Sequence, residues 1–255
     1  MISCKNFRLY CEDNRYSLNM HDIGLWVEDL IIPSTTPEHA TESADGMNGS
    51  FYFSTTLKER QISATLQYEI ERGETMLSFN RKIFNWFNPF REYFLVADED
   101  PSIRYPVRIS SGYEIEELSW EDGKFAVEFI SFKPLAESIN LVMRKYNVLK
   151  FHFRNDGTTP IDMRTQTETE IEFKGASNSL EIINKNTGDV WKYNGSTVAD
   201  DVILLKGVRS LKNGQSIFAA TNKRLISFAV GNNEIEVSGA SGEFTLTIST
   251  RFYFL

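Results

Sequence analysis

Gln61-Ile62-Ser63-Ala64-Thr65-Leu66-Gln67-Tyr68-Glu69-Ile70 decides the fold class. Ile62, Ala64, Leu66, Tyr68 and Ile70 fall on one side of an extended chain, and Gln61, Ser63, Thr65, Gln67 and Glu69 on the other. Successive side chains of a strand point to opposite faces, so this stretch reads as a strand with one buried and one wetted face. The same period returns near the C-terminus, where Phe244, Leu246, Ile248, Thr250 and Phe252 alternate with Thr245, Thr247, Ser249 and Arg251. A third run, Phe125, Val127 and Phe129, reaches Phe132 with its parity shifted, which predicts a bulge near Ile130 and Ser131.

Turn dipeptides separate such runs at short intervals: Asp122-Gly123, Asn155-Asp156-Gly157, Thr187-Gly188-Asp189, Asn194-Gly195 and Asn213-Gly214. Asn-Gly and Asp-Gly tolerate the positive φ of tight hairpins, so the spacing points to antiparallel sandwiches or barrels. Only residues 75–87 depart from the period of two. There Met76, Phe79 or Leu77, Ile83, Phe84 and Phe87 recur every three or four positions, Thr75 can cap the start and Pro89 ends the run. The spacing predicts one amphipathic helix.

The 255 residues suffice for two domains of ordinary size. Residues 34–49, rich in Ser, Thr, Pro, Glu and Gly, are too polar to fill a core and read as a long exposed loop or arm. Residues 153–169 are also irregular, and a boundary is expected near residues 145–155. The expected layout is mainly β: a sandwich over residues 1–148 with one helix and an arm, then a second sandwich over residues 149–255. Residues 252–255 either close the second domain or return to the first.

Composition narrows the function. Nineteen Phe, ten Tyr and four Trp supply large rings that must be buried or matched by a partner. A net charge of -8, without a dense Lys/Arg run, argues against nucleic-acid binding, which needs a basic face toward phosphates. Cys4 and Cys11 are too few for a disulfide framework and wrongly spaced for zinc, so they are expected to be reduced thiols. Residues 1–18 lack the basic start and apolar core of a signal peptide, and no window reaches the roughly 18 apolar residues of a membrane helix.

Candidate chemistry is sparse. His21, His39 and His152 stand apart from one another, and no nucleophile elbow, zinc helix, phosphate loop or dinucleotide fingerprint occurs. A sandwich glycosidase would need two carboxyls about 5–10 Å apart across a sugar. Glu114, Glu116 and Glu117 lie beside Trp120, on which a sugar could stack, and Asp98, Glu99 and Asp100 cluster. Yet Glu114 and Glu116 alternate with Tyr113 and Ile115 as a solvated strand face does, and 98–101 reads as a turn. Asn48-Gly-Ser and Asn194-Gly-Ser match the glycosylation sequon but read better as turns. Trp191 and Tyr193 are a candidate saccharide platform, which would make the chain a carbohydrate-binding module for a bacterial cell-wall glycan. No enzyme activity, cofactor or metal is expected.

A further reading comes from the order of short segments. Asp45-Gly46 ends the polar loop and leads to Thr55-Thr56-Leu57-Lys58-Glu59-Arg60, then the alternating strand, the helix, Tyr93-Phe94-Leu95 and Arg104-Tyr105-Pro106-Val107. Next come Gly123-Lys124-Phe125-Ala126-Val127-Glu128-Phe129 and a stop at Phe132-Lys133-Pro134. The second half carries Asn155-Asp-Gly-Thr, Asn186-Thr-Gly-Asp, Asn213-Gly and Val230-Gly-Asn-Asn-Glu-Ile. Over nearly its whole length the chain resembles the siphovirus distal tail proteins, with Lys133 where the family commonly has Asp. The resemblance implies a homo-hexameric ring that joins the tail-tube protein to the tail-tip hub protein. It also implies a galectin-like C-terminal domain that holds receptor-binding proteins, and a place in the virion after synthesis in the bacterial host cytoplasm. No membrane or specific nucleic-acid partner follows. An arm that adds nothing to its own core can order on a neighbouring subunit. Its candidate contact residues are Ser34, Thr35, Glu38, Glu42, Asp45 and Asn48.

Overall fold

The computed structural model describes residues 4–12, 16–46, 48–71 and 73–255. Met1–Glu137 with Leu255 make one unit, and Ser138–Phe254 the other. The first unit runs β1 (Phe7–Tyr10), β2 (Ser17–Asn19), β3 (Leu25–Ile31), β4 (Pro37–Glu42), β5 (Phe51–Leu57) and β6 (Arg60–Glu69). It continues through α1 (Met76–Trp86), β7 (Tyr93–Ala97), β8 (Ile103–Ile109), β9 (Ile115–Glu117) and β10 (Asp122–Ser131). The path of hydrogen-bonded neighbours is β2-β1-β7-β8-β10-β6-β3, with β9 beside β10.

The opening stretch is the strand that its alternation predicts. In β6 Ile62, Ala64, Leu66 and Tyr68 are buried, and Gln61 and Glu69 face water. Its partner β10 runs antiparallel in unbroken register, from Asp122 opposite Glu69 to Ser131 opposite Arg60. The bulge expected near Ile130 and Ser131 is therefore absent. The parity of Phe132 shifts because the strand ends at Ser131, whose hydroxyl donates to the Lys133 carbonyl, and Phe132 lies 67% exposed beyond that end. The slip sits instead in β3, between Val27 and Asp29.

The helix forms where expected. Thr75 Oγ1 accepts a hydrogen bond from the Ser78 N–H at 3.3 Å, satisfying one of the free donors of the first turn. Phe79 and Ile83, with Phe87 just beyond, turn inward, so Leu77 and Phe84 are left exposed rather than buried. Phe79 meets Tyr68 at 4.7 Å between ring centroids, and Phe87 meets Phe125 at 5.7 Å. Tyr68 passes over β10 at Gly123, where a Cβ would lie 2.4 Å from the phenol, and its hydroxyl donates to Asn80 Oδ1 at 2.6 Å. Glycine is required at position 123 by that approach.

After β11 (Ala136–Ser138), the second unit contains β12 (Val142–Tyr146), β13 (Lys150–Asn155), β14 (Ile161–Asp162), β15 (Glu170–Asn184), β16 (Asp189–Lys192) and β17 (Ser196–Thr197). Then follow β18 (Val202–Lys206), β19 (Arg209–Lys212), β20 (Gln215–Ser216), β21 (Ser227–Phe228), β22 (Gly231–Thr250) and β23 (Tyr253–Phe254). The long strands β15 and β22 pair in three stretches, two long ones flanking a short one at Ala176 and Ser177, with breaks after Gly175 and after Ser177. Such breaks bend a ladder. β12 and β18 extend the first long stretch, while β13 and β16 extend the last. Between them lie Phe153, Phe173, Ile182, Trp191, Phe228 and Ile235, all fully or almost fully buried.

The turn motifs have physical explanations here. Asn233 is fully buried; its amide donates to the Ala229 and Gly231 carbonyls, and its oxygen accepts from the Ala229 N–H, so it holds the turn at Gly231 (φ 83°). Asn155 does the same for its own turn, accepting from the Gly157 N–H and donating to the Thr159 carbonyl. Asn213 and Gly214 both have positive φ, 49° and 81°, as a tight hairpin demands.

Two predictions follow from the first unit. Arg104 donates from Nε and Nη2 to Glu137 Oε2 at 3.0 and 2.8 Å, with both side chains almost wholly buried and the guanidinium over the Phe94 ring. Glu137→Ala should cost about 3–5 kcal/mol in urea unfolding, because it removes the carboxylate that pairs with a buried cation. The double variant Arg104→Met, Glu137→Leu should lose much less; equal losses would show that the pair itself stabilises the unit. Burial pushes the Tyr16 and Tyr68 hydroxyls up to about 12 and that of Tyr113 upward as well. The neutral phenols favour the folded state, so their contribution is complete below the unfolded value of 10 and fades as pH rises toward 12. Ultraviolet titration should find these phenolates forming late and together with unfolding.

Candidate assembly surface

The described residues within 34–49 lie outside the core, but they are not an irregular loop. β4 and β5 pair with each other as a separate two-stranded sheet, with Pro37 opposite Leu57 and Glu42 opposite Phe51. The two ends of this hairpin meet where the Lys58 N–H donates to the Thr36 carbonyl at 2.9 Å. The arm is thus a β-hairpin whose second strand lies beyond the expected range. The signal for it was present: Asp45-Gly46 and Asn48-Gly49 stand between two runs, and Gly46 and Gly49 have φ of 80° and 93°.

Every residue of β4 is exposed, as is all of β5 except Leu57. The register shifts between Ala40 and Thr41, leaving Phe53 as the extra residue. Phe51, Tyr52 and Phe53 are 56%, 62% and 63% exposed. The arm holds its own shape through few contacts. His39 Nδ1 and the Tyr52 hydroxyl both meet Thr55 Oγ1, at 2.8 and 2.7 Å, and Glu38 pairs with Lys58 at 3.0 Å. Of the candidate contact residues, Ser34, Glu38, Glu42, Asp45 and Asn48 are exposed and Thr35 is half-buried. A two-stranded hairpin with no core is marginal in water. Three adjacent exposed rings are an apolar patch of the kind that marks contact surfaces.

A second exposed apolar surface lies on the outer side of α1. Leu77 and Phe84 are 63% and 49% exposed, and Phe90, just past the helix, is 90% exposed. Arg81 projects between the first two.

The residues considered for chemistry are scattered. Glu114, Glu116 and Glu117 face solvent beside the wholly exposed Trp120, and Glu116 lies opposite Lys124 across the ladder. Asp98 and Asp100 serve a turn: Asp98 Oδ2 accepts from Asn6 Nδ2 at 2.7 Å, and Asp100 Oδ1 accepts from the Ser102 hydroxyl at 2.6 Å. His21 stacks on Trp26, His39 belongs to the arm, and exposed His152 lies opposite Glu234. Among the described residues no group of three His, Cys, Asp or Glu could hold a metal ion, and no helix is long and apolar enough to cross a membrane.

The saccharide platform needs correction. Trp191 is fully buried, its indole N–H donating to Ser210 Oγ at 3.2 Å, and Tyr193 is only 8% exposed. Neither ring offers a face to a sugar. The clue was Lys192, which sits between them on the other side of the strand and pairs with Glu181 at 2.8 Å.

Residues 16–131, which include the arm and α1, match the family described as phage tail protein RIFT-related domain. This part of the chain is similar to that phage tail family. The resemblance read from the ordered motifs is borne out, and so is the mainly β fold with one α-helix among the described residues. That match supports a structural role in a phage tail. In fold the whole chain is similar to the SPP1 Dit (gp 19.1) protein, described as a paradigm of hub adsorption apparatus in phages infecting Gram-positive hosts. The TM-score is 0.73 at 15% identity, over 96% of this chain and 99% of that one. A chain of the phage p2 baseplate in its activated conformation with Sr is more distant, with a TM-score of 0.45 at 8% identity over 95% of this chain and 97% of that one. No curated protein matches the sequence.

Burial of Trp191 sets an expectation for the second unit. Trp191→Ala should cost about 3–5 kcal/mol in denaturant unfolding, as large-to-small changes in a closed core do. An unchanged midpoint would show the ring to be exposed in solution.

Proposed function

We propose that this chain forms a homo-hexameric ring at the distal end of a long phage tail. The ring joins the tail-tube protein to the tip hub protein. The second unit, read as galectin-like, carries the receptor-binding proteins. The observation that carries this reading is the hairpin β4–β5, which is structured yet wholly outside its own core and lies within the segment that matches a phage tail family. An arm of this kind orders on a neighbour, and a head-to-tail contact repeated about an axis closes into a ring.

The whole-chain likeness to a protein described as a paradigm of hub adsorption apparatus supports the location. A net charge of -8 suits a ring around a channel that DNA must traverse without sticking. Neither Cys4 nor Cys11 forms a disulfide, consistent with synthesis in the reducing bacterial cytoplasm. Assembly requires surfaces rather than catalysis, and no exposed carboxylate cluster among the described residues is organised as an acid–base pair.

Light scattering and electron microscopy of the full chain test the reading. The parent should form a closed ring with six times the 29.3 kDa protomer mass. Replacing residues 37–57 by a short Gly-Ser bridge should give a folded monomer with nearly unchanged unfolding, since the hairpin ends already meet at Thr36 and Lys58. A parent that stays monomeric at high concentration and binds neither tail-tube nor hub protein would overturn it.

A further inference from the structure

The arm and the outer face of α1 are exposed in the same chain, and their chemistries are opposite. Residues 32–57 contain no Lys or Arg; Glu38, Glu42 and Asp45 give this stretch a negative charge, and Phe51, Tyr52 and Phe53 give it three rings. Met76–Trp86 contains no Asp or Glu, and its basic residues are Arg81 and Lys82. Lys82 is held by Glu74 at 2.8 Å, whereas Arg81 has no ion-pair partner among the described residues. On the arm, Glu38 is held by Lys58, and Glu42 has no ion-pair partner among the described residues.

Helix geometry aligns the receiving residues. Leu77, Arg81 and Phe84 are spaced by four and three, so they form one stripe along the solvent side, and Phe90 lies past its C-terminal end. The opposite side of the helix already buries Phe79 and Ile83. A surface helix needs one apolar face to hold it in place; α1 has a second, with a cation at its centre.

We propose that the solvent face of α1 is the seat for the arm of a second copy, with the rings of β5 on Leu77, Phe84 and Phe90 and Glu42 beside Arg81. This rests on the ring reading above and names its contact. The occupant is another copy for two reasons: the chain's own arm leaves its own α1 exposed, and the segment with matching charge and rings is that arm. Because the two surfaces differ, each subunit gives an arm on one side and receives one on the other, which is the heterologous contact that closes rings.

The test uses the full chain with a photo-reactive benzoylphenylalanine in place of Phe53, mixed as light and heavy-nitrogen copies. Illumination of the assembled protein should join position 53 to residues 77–90 of a different copy, identified as mixed-isotope peptides. Arg81→Glu should raise the concentration for half-assembly at least roughly tenfold without changing monomer unfolding, and Glu42→Arg added to it should restore assembly. If rings form but the cross-link maps elsewhere, or Arg81→Glu assembles like the parent, this inference fails and the ring reading stands. If the parent forms no ring at all, both fail together.

Discussion

The ladder between β6 and β10 is the constraint on which the first unit depends. Ten consecutive residues of each strand face one another without a slip, and one side of that ladder is core. A one-residue shift would turn Ile62, Ala64, Leu66 and Tyr68 to water and bring Gln61, Ser63, Thr65 and Gln67 inward, so register and burial enforce each other. The helix depends on the same ladder. Its inward rings rest on Tyr68 and Phe125, and Tyr68 approaches β10 this closely because position 123 has no side chain. The arm enters this scheme at one end, immediately before Arg60, so it is displayed from the most fixed strand of the unit.

Much of this was legible in the residues, and the gaps have physical reasons. Strands with one buried face were readable because their period directly encodes the face. Turns at Asn155 and Asn233 were readable because an Asn side chain bonds its local backbone, and the turn at Asn213 because Asn tolerates a positive φ. The buried side of α1 was not, because Leu77 and Phe84 compete with Phe79 and Ile83 at helical spacing. Only the aromatic residues of β6 and β10, distant in sequence, decide between them. At Phe132 the parity change came from a strand end, which local pattern does not separate from a bulge. The arm's second strand was missed because Phe51-Tyr52-Phe53 has the composition of a core strand and lies in none.

The abundant rings therefore fall into two populations. Trp191, Phe173, Phe129 and Phe87 fill cores and account for stability. Phe51, Tyr52, Phe53, Phe90 and Trp120 stand in water. Exposed rings at such density carry a cost in solubility unless a partner covers them. The charge pattern agrees with that division. The ionised pair Arg104–Glu137 is enclosed, where it constrains geometry, whereas arm and helix each retain a single-signed exposed charge, Glu42 and Arg81.

The arm's marginal character is itself part of the design. A two-stranded sheet has two open edges, and an exposed edge strand invites pairing with any other chain. Here β4 contributes Pro37, Glu38 and Glu42, and the register shift around Phe53 interrupts the ladder. Proline, charge and a bulge each discourage indiscriminate strand pairing, so recognition is left to the ring side chains and the acidic residues. Those groups gain most where a matching apolar and basic surface removes them from water together. On the proposed ring reading, a hairpin with few contacts of its own gains order when assembly completes it, which would couple the local order of the arm to the closure of the whole.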